Sequence, residues 1–109
     1  MAYIPRKGDI VRLNFDPVAG HEQAKQRPAL VVSPQAVHET FGLCWVLPIT
    51  TRARGTAFEI PVTGGETSGV VLTQQIRTVD FRARGAEFVE AAGEQTREQA
   101  LHAVRMILG

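Results

Sequence analysis

The sequence predicts a mainly β protein: a small, strongly curved antiparallel barrel that is completed by a C-terminal α-helix. Apolar and polar side chains alternate with a period of two over about the first ninety residues, as is typical of half-buried strands. Sustained helical spacing of apolar side chains appears only near the C-terminus. Many short strands followed by one closing helix favour a compact barrel.

The first three predicted strands lie between residues 10 and 49. In residues 10–15, Val11, Leu13 and Phe15 alternate with more polar neighbours after a glycine-containing turn. A polar loop follows Asp16 and continues to Arg27, where Pro28 opens the second strand. Residues 29–32 and 43–49 are near-continuous apolar runs, which predicts central strands buried on both faces.

The remaining elements are shorter. A short helix is predicted over residues 35–39, entered through Pro34. Strands over residues 58–62 and 69–72 flank the sequence TGGE, which indicates a hairpin or loop. Two further strands are predicted over residues 76–81 and 86–91, separated by an Arg-Gly turn.

The C-terminal helix has both a start pattern and an apolar face. Thr96 followed three residues later by Gln99 predicts a capping box. Apolar side chains then recur at helical spacing and form one face, which we expect to close the barrel. These side chains are Leu101, Val104, Ile107 and Leu108.

Length and composition indicate one domain over residues 1–109 of an ordinary globular protein. The chain is 44% hydrophobic and 21% charged, and no apolar run approaches the roughly 20 residues that cross a bilayer. The N-terminus has no apolar core of a signal peptide. The single cysteine, Cys44, fits a reducing cytoplasm, and its apolar neighbours predict a buried, inert thiol. Trp45 is interpreted as a core residue.

The charge of the whole chain says little about nucleic acids. A net charge of +1 and a pI near 8.0 are only faintly basic, whereas nucleic-acid-binding domains typically exceed a pI of about 9. A basic surface therefore depends on local clusters of cations, and scattered solvated arginines remain an equal alternative. The clusters are Lys25 with Arg27, Arg52 with Arg54, and Arg77 with Arg82 and Arg84.

No metal and no cofactor are expected. His21, His38 and His102 are far apart and fit no zinc-ligand spacing, and no glycine-rich phosphate loop follows a strand. RNA cleavage needs neither, because the 2′-hydroxyl is an internal nucleophile beside the phosphodiester that it attacks. The protein has only to supply a base, to stabilise the phosphate oxygens and to assist the departing 5′-oxygen.

The chain has groups suited to each of these tasks. The Arg27 guanidinium can bind two phosphate oxygens at once. Thr50 and Thr51 offer hydroxyl donors at the end of a buried strand, although threonine also simply favours sheets. His21 and Glu22 can exchange protons near neutral pH, but a local hydrogen bond for His21 and a solvated charge for Glu22 remain open.

Five sequence strings, in order along nearly the whole chain, resemble the MazF/PemK (Kid) family of bacterial toxin endoribonucleases. The first is DPVxGxEQxxxRPALVVSP, which begins at Asp16. The others are PITT at residues 48–51, GVVL at 69–72, RTVDFRARG at 77–85, and the C-terminal ILG. The resemblance implies the SH3-like barrel of the CcdB/MazF/Kid type.

The resemblance implies a sequence-specific, metal-independent mRNA interferase of a type II toxin–antitoxin system. It would cleave single-stranded RNA to a 2′,3′-cyclic phosphate (or 3′-phosphate) and a 5′-hydroxyl, inhibiting growth under stress. By resemblance, Arg27 and Thr50 are the catalytic pair, and His21 or Glu22 assists proton transfer. The Kid branch uses an arginine and an aspartate in catalysis where this chain has Leu72 and Gln74. This difference favours a mechanism that uses Arg27 and Thr50 instead. Expected RNA contacts are Gln23, Lys25, Thr51, Arg52, Arg54, Gln75 and Arg84.

The resemblance also implies a homodimer in the bacterial cytoplasm, with RNA across its interface. A cognate antitoxin would place its acidic, disordered C-terminal segment in the same groove. An alternative function is a CcdB-like, non-catalytic gyrase poison, which acts through a Trp-Gly-Ile terminus that this chain lacks. A barrel adaptor for proline-rich peptides would need an exposed aromatic groove, and aromatic residues make up only 6% of the chain.

Overall fold

The computed structural model describes residues 2–15 and 26–109, and these residues form a seven-stranded antiparallel sheet with two α-helices. A short helix, Gln35–Phe41, and a long helix, Glu94–Leu108, agree with the predicted helical regions. No helix among the described residues is long and apolar enough to cross a membrane. The elements are β1 (Asp9–Asn14), β2 (Gln26–Val31), α1 (Gln35–Phe41), β3 (Cys44–Thr50), β4 (Glu59–Pro61), β5 (Val70–Leu72), β6 (Arg77–Val79), β7 (Glu87–Ala91) and α2 (Glu94–Leu108).

Strand β3 is the centre of the sheet. The strand order is β4-β5-β3-β2-β1-β7, and β6 pairs separately with β3. Strand β6 pairs with the first residues of β3, and β5 pairs with Ile49 and Thr50 at its end. The mainly antiparallel fold with a C-terminal helix is therefore as predicted.

The predicted barrel is not closed by strand pairing, because the terminal strands β4 and β7 do not pair in this order. Side chains bridge them instead. Glu90 on β7 accepts hydrogen bonds from the backbone N–H groups of Glu66 and Thr67, in the turn between β4 and β5. On α2, the Thr96 hydroxyl donates to the Pro61 carbonyl and accepts from the Thr63 N–H. The result is a strongly curved open sheet.

The core has two parts, one on each face of the central strands. Alternate residues of β2 and β3 contribute to both, which confirms the prediction that these strands are buried on both faces. The first cluster contains Val11, Leu13, Phe15, Ala29, Val31, Cys44, Val46, Val79 and Phe81. The second contains Ile10, Leu30, Val32, Leu47, Ile49, Val71, Ala92 and Ala100.

The start of helix α2 differs from the prediction. The helix begins at Glu94 behind Gly93, and Thr96 lies inside it rather than at its N-cap. Thr96 is 1% exposed, and its hydroxyl binds β4 and the following turn rather than the helix's own backbone. Of the predicted apolar face, Leu101 and Val104 pack on the second core cluster. The side chains of Ile107 and Leu108 are exposed.

Cys44 and Trp45, neighbours on β3, were both predicted to be buried, and only Cys44 is. Cys44 is buried in the first core cluster, as predicted, and its burial raises the pKa of the thiol to about 12. Trp45 is 51% exposed, so its interpretation as a core residue is wrong. Leu47 and Ile49 share its face farther along the strand and lie in the second cluster, whereas Trp45 precedes this covered region.

Candidate active site

The strand register brings the two predicted catalytic residues together at the end of β3. Strands β2 and β3 are antiparallel, and Ala29 lies opposite Pro48. Continuing this register by two residues brings Arg27 level with Thr50, and both residues line the same cavity. On the other side of β3, Thr50 is paired with Val70 of β5. Arg27 and Thr50 are each two residues from the opposed pair Ala29 and Pro48. Because residues two apart share a face of a strand, their side chains lie on the same side of the sheet.

A cavity of about 320 Å³ opens at this strand end. Its polar groups are guanidinium and hydroxyl groups, and two of the residues that carry them, Arg27 and Thr50, lie on β-strands. A planar guanidinium beside hydroxyl donors suits the oxygens of a phosphodiester. The lining residues are Arg27, Pro28, Ile49, Thr50, Thr51, Arg52 and Ser68.

A second cavity of about 340 Å³ adjoins the first and shares Thr50 and Arg52 with it. Its wall includes Leu72 and Gln74, the positions for which the resemblance implies arginine and aspartate in the Kid branch. Leu72 cannot bind a phosphate and Gln74 cannot act as a base. The other lining residues are Ala53, Arg54, Glu59 and Gln75.

The Thr50 hydroxyl is fixed by its surroundings. Its oxygen accepts a hydrogen bond from the Arg52 backbone N–H at 3.1 Å, which leaves the hydroxyl proton able to be donated. Gly69 has φ +123°, and a β-carbon there would collide with the Thr50 carbonyl oxygen. Only glycine therefore allows this close approach of the β5 hairpin to Thr50.

The segment after β3 is held by backbone hydrogen bonds to a buried carboxylate. Glu59, the first residue of β4, is 9% exposed and accepts backbone hydrogen bonds from Arg54, Gly55 and Thr56. Arg52 and Arg54, both expected to contact RNA, belong to this segment and are exposed. Their cations line the two cavities without an ion-pair partner among the described residues.

Four predicted site residues lie outside the described residues. They are His21, Glu22, Gln23 and Lys25, and their roles stay predictions. Residues 14 and 26, which flank this part of the chain, pair with each other across β1 and β2.

Arg84 lines neither cavity. Its guanidinium donates hydrogen bonds to the backbone carbonyl oxygens of Asn14 and Phe15, at the end of β1. The Arg77 guanidinium also donates to the Phe15 carbonyl and lies over the Phe15 ring. Arg84 therefore has a structural role at the end of β1, while its predicted contact with RNA remains a prediction.

Two residues of the site were missed by the sequence analysis. Ser68 reaches the first cavity only because Gly69 allows the hairpin to approach Thr50. Glu59 was passed over within a predicted strand. A lone glutamate in an apolar strand, three residues after a Gly-Thr pair, is the pattern that could have revealed it.

The two histidines that the structure describes lie on different helices, His38 on α1 and His102 on α2. His38 is buried on α1, where Nε2 lies 2.6 Å from the Ser33 hydroxyl and Nδ1 lies 2.7 Å from the Pro5 carbonyl oxygen. A carbonyl oxygen only accepts, so Nδ1 carries a proton and donates it. Within residues 2–15 and 26–109, no three His, Cys, Asp or Glu side chains are grouped so as to hold a metal ion.

The fold and the site together describe a small curved β protein with guanidinium and hydroxyl groups gathered at one strand end. Residues 6–108 match the family model described as PemK-like, MazF-like toxin of type II toxin–antitoxin system. The chain therefore belongs to this family, which confirms the resemblance found in the sequence.

Individual relatives support the same membership. The chain is 43% identical over 84 residues to the endoribonuclease toxin MazF of Escherichia coli K12, covering 77% of this chain and 76% of the relative. The crystal structure of MazF from Deinococcus radiodurans superposes with a TM-score of 0.88 at 40% identity, over 99% of both chains. A MazE–MazF complex from the same organism has a TM-score of 0.87 at 35% identity, over 99% of this chain and 98% of that one.

Proposed function

We propose that this protein is an endoribonuclease that acts as the toxin of a type II toxin–antitoxin system and cleaves single-stranded RNA without a metal ion. The observation that carries the proposal is the open cavity that Arg27 and Thr50 line together. Relatives that share this fold are named endoribonucleases, which supports the enzyme class and disfavours the gyrase-poison alternative.

Cleavage would proceed by transesterification. The 2′-oxygen attacks the adjacent phosphorus and the bond from phosphorus to the 5′-oxygen breaks, leaving a 2′,3′-cyclic phosphate and a 5′-hydroxyl. Arg27 stabilises the extra negative charge on the phosphorane, and Thr50 donates a hydrogen bond to one of its oxygens. His21 or Glu22 takes the 2′-hydroxyl proton, and the 5′-oxygen takes a proton from solvent water as it leaves.

The second cavity would receive a neighbouring nucleotide. Sequence-specific recognition of RNA uses the edges of unpaired bases, which are inaccessible in a duplex. Gln75 and Arg54 offer amide and guanidinium groups in this cavity, and both could bind such edges. This arrangement supports a preference for single strands and some selectivity for sequence.

The proposed assembly is a homodimer in the bacterial cytoplasm, inhibited by a cognate antitoxin. The solved MazE–MazF complex from Deinococcus radiodurans supports an antitoxin partner. An acidic segment of such a partner would pair with the same guanidinium groups that bind phosphate. The proposed endoribonuclease would encounter its messenger RNA substrate in the cytoplasm.

The test is incubation of the protein with a long RNA in EDTA, followed by mapping of the cut sites and their ends. We expect cuts in unpaired regions, with 5′-hydroxyl ends, and protection of the same region when a complementary strand is annealed. An absolute requirement for magnesium or manganese, or 5′-phosphate products, would contradict the proposed chemistry.

A further inference from the structure

Glu59 is a buried carboxylate in the wall of the second cavity. One oxygen accepts backbone hydrogen bonds from Arg54 at 2.9 Å, Gly55 at 2.8 Å and Thr56 at 3.3 Å. The other oxygen also accepts from the Arg54 N–H, at 3.1 Å. Three successive peptide groups of residues 52–56, which we call the arginine segment, are thus directed at one side chain.

The charge of Glu59 is balanced by backbone dipoles rather than by a cation. In the part of the chain that the structure describes, the one ion pair joins Arg97 and Glu98, on the surface of α2. A buried, ionised carboxylate is costly unless it is hydrogen-bonded, and successive N–H groups in a turn form a favourable cradle for an anion. Gly55, at φ +81°, supplies the left-handed residue that such a turn requires.

The carboxylate itself stands on a fixed strand. Glu59 pairs with Leu72 in the β4–β5 hairpin. Directly before it, the Phe58 carbonyl accepts hydrogen bonds from both the hydroxyl and the N–H of Thr73, a residue that is 2% exposed. The hairpin therefore holds Glu59, and Glu59 in turn holds the arginine segment.

We propose that Glu59 is a positioning residue that fixes the arginine segment, so that Arg52 and Arg54 line the two cavities beside Thr50. The inference rests on the proposed function, because it assigns these cations to RNA. Glu59 acts through the backbone and does not touch the substrate. With its oxygens occupied by N–H donors, an approaching phosphate meets the two guanidinium groups rather than an exposed carboxylate.

This role should affect binding more than the chemical step. Arg27 and Thr50 lie on β2 and β3, whose pairing does not involve Glu59, and the Arg52 N–H that binds the Thr50 hydroxyl comes before the peptide groups that Glu59 holds. Loss of the carboxylate would release the arginine segment, and RNA binding would have to bear the cost of ordering it again. We therefore expect a higher KM with a smaller change in kcat.

The test compares Glu59→Ala and Glu59→Gln with the wild type and with Glu90→Gln. Glu90 is a matched control because its carboxylate also holds a turn through backbone N–H groups, but it lines neither cavity. We expect Glu59→Ala to raise KM about tenfold and to speed amide exchange at residues 54–56. Glu59→Gln keeps one acceptor oxygen and should lie between Glu59→Ala and the wild type, whereas Glu90→Gln should leave KM unchanged.

A double-mutant cycle separates positioning from general stability. In an Arg52→Ala/Arg54→Ala background, Glu59→Ala should cause little further loss of affinity, because the groups that it positions are gone. The same experiment uses an RNA with a 2′-deoxy nucleotide at the cut site, so that binding is measured without cleavage. An additive cycle, or unchanged exchange at residues 54–56, would overturn the inference. Failure of the wild type to cleave would instead overturn the proposed function while the binding cycle still decides the role of Glu59.

Discussion

At the scale of single residues, Arg27 and Thr50 differ in how they are presented. The Arg27 side chain is exposed at the beginning of β2, whereas Thr50 is half-buried at the end of the central strand. The cation can therefore reach a flexible substrate, while the hydroxyl group stays fixed by the Arg52 N–H. An exposed cation and a fixed donor suit a phosphate whose negative charge grows during the reaction.

Replacing Arg27 with alanine should lower the cleavage rate by about 10²–10³-fold, the usual loss for one transition-state donor. The melting temperature should hardly change, because the Arg27 side chain is exposed. Arg12→Ala is the matched control, since Arg12 is an exposed arginine on β1 that lines neither cavity. Single-turnover rates in EDTA check the prediction, and a wild-type rate in a folded Arg27→Ala variant would refute the assignment.

Replacing Thr50 tests the hydroxyl separately from the shape of the side chain. Thr50→Val keeps the branched side chain but removes the donor, so we expect a severe loss of rate. Thr50→Ser keeps the donor and should retain much of the activity. Equal activities for the two variants, measured in the same single-turnover assay, would show that the hydroxyl plays no part.

Arg27 and Thr50 were selected through the resemblance to the MazF/PemK family, because residue chemistry alone explains Thr50 equally well as a strand former. Their proximity depends on the register of two buried strands, which no local pattern determines. The role of Glu59 was not predicted, because it too depends on contacts that no local pattern determines. Its partners are peptide N–H groups of any residue type, so the sequence carries no matching side chain to suggest the contact.

At the scale of elements, side chains join the two edges of the open sheet. The Glu90 carboxylate receives the N–H groups of Glu66 and Thr67 and the Thr67 hydroxyl. Hydrogen bonds from the Thr67 hydroxyl and then its N–H lower the pKa of Glu90. Because the ionised carboxylate is the form that holds the turn, this bridge depends on pH.

Glu90→Gln should lower the melting temperature by a few degrees at neutral pH and reduce its acid sensitivity. A carboxyl group whose pKa is lowered by folding stabilises the protein above its unfolded pKa of about 4.3, and this contribution is lost as the pH falls through the folded pKa. The difference from wild type should therefore shrink below about pH 4. Glu66→Gln, in the same turn, is the control for net charge, and an equal effect of both variants would contradict the bridge.

The predicted elements were mostly found, but the start of α2 was not. The Thr96–Gln99 spacing matches a capping box, yet Thr96 binds residues 61 and 63, more than thirty positions earlier in the chain. The Thr96 hydroxyl thus makes tertiary hydrogen bonds, although threonine strongly favours the N-cap position of a helix. The exposure of Trp45 also depends on tertiary structure. Period-two alternation shows which residues share a face of the strand, but not how far along the strand that face is buried.

At the scale of the whole molecule, a nearly neutral chain still concentrates positive charge. The net charge is +1, yet Arg27, Arg52 and Arg54 line two adjoining cavities. The open alternative of scattered arginines holds for Arg84, which is bound to the end of β1, but not for these three. Local convergence, rather than total charge, is what an anionic polymer would meet.

A second copy and an acidic partner are both expected at this scale. The last turn of α2 leaves Met106, Ile107 and Leu108 exposed, with Leu108 at 73%. Apolar side chains of this size on a small protein favour burial against another chain. Light scattering at micromolar concentration should show a dimer, and a monomer under these conditions would contradict the proposed assembly.

An acidic antitoxin segment and RNA should exclude each other, because carboxylates and phosphates would compete for the same guanidinium groups. We expect an acidic peptide to displace a labelled, uncleavable RNA and to slow cleavage in proportion to its occupancy. Arg27→Ala should weaken both ligands, whereas Arg12→Ala should weaken neither. A complex that holds peptide and RNA together, or a peptide that binds fully without slowing cleavage, would place the two ligands on separate surfaces.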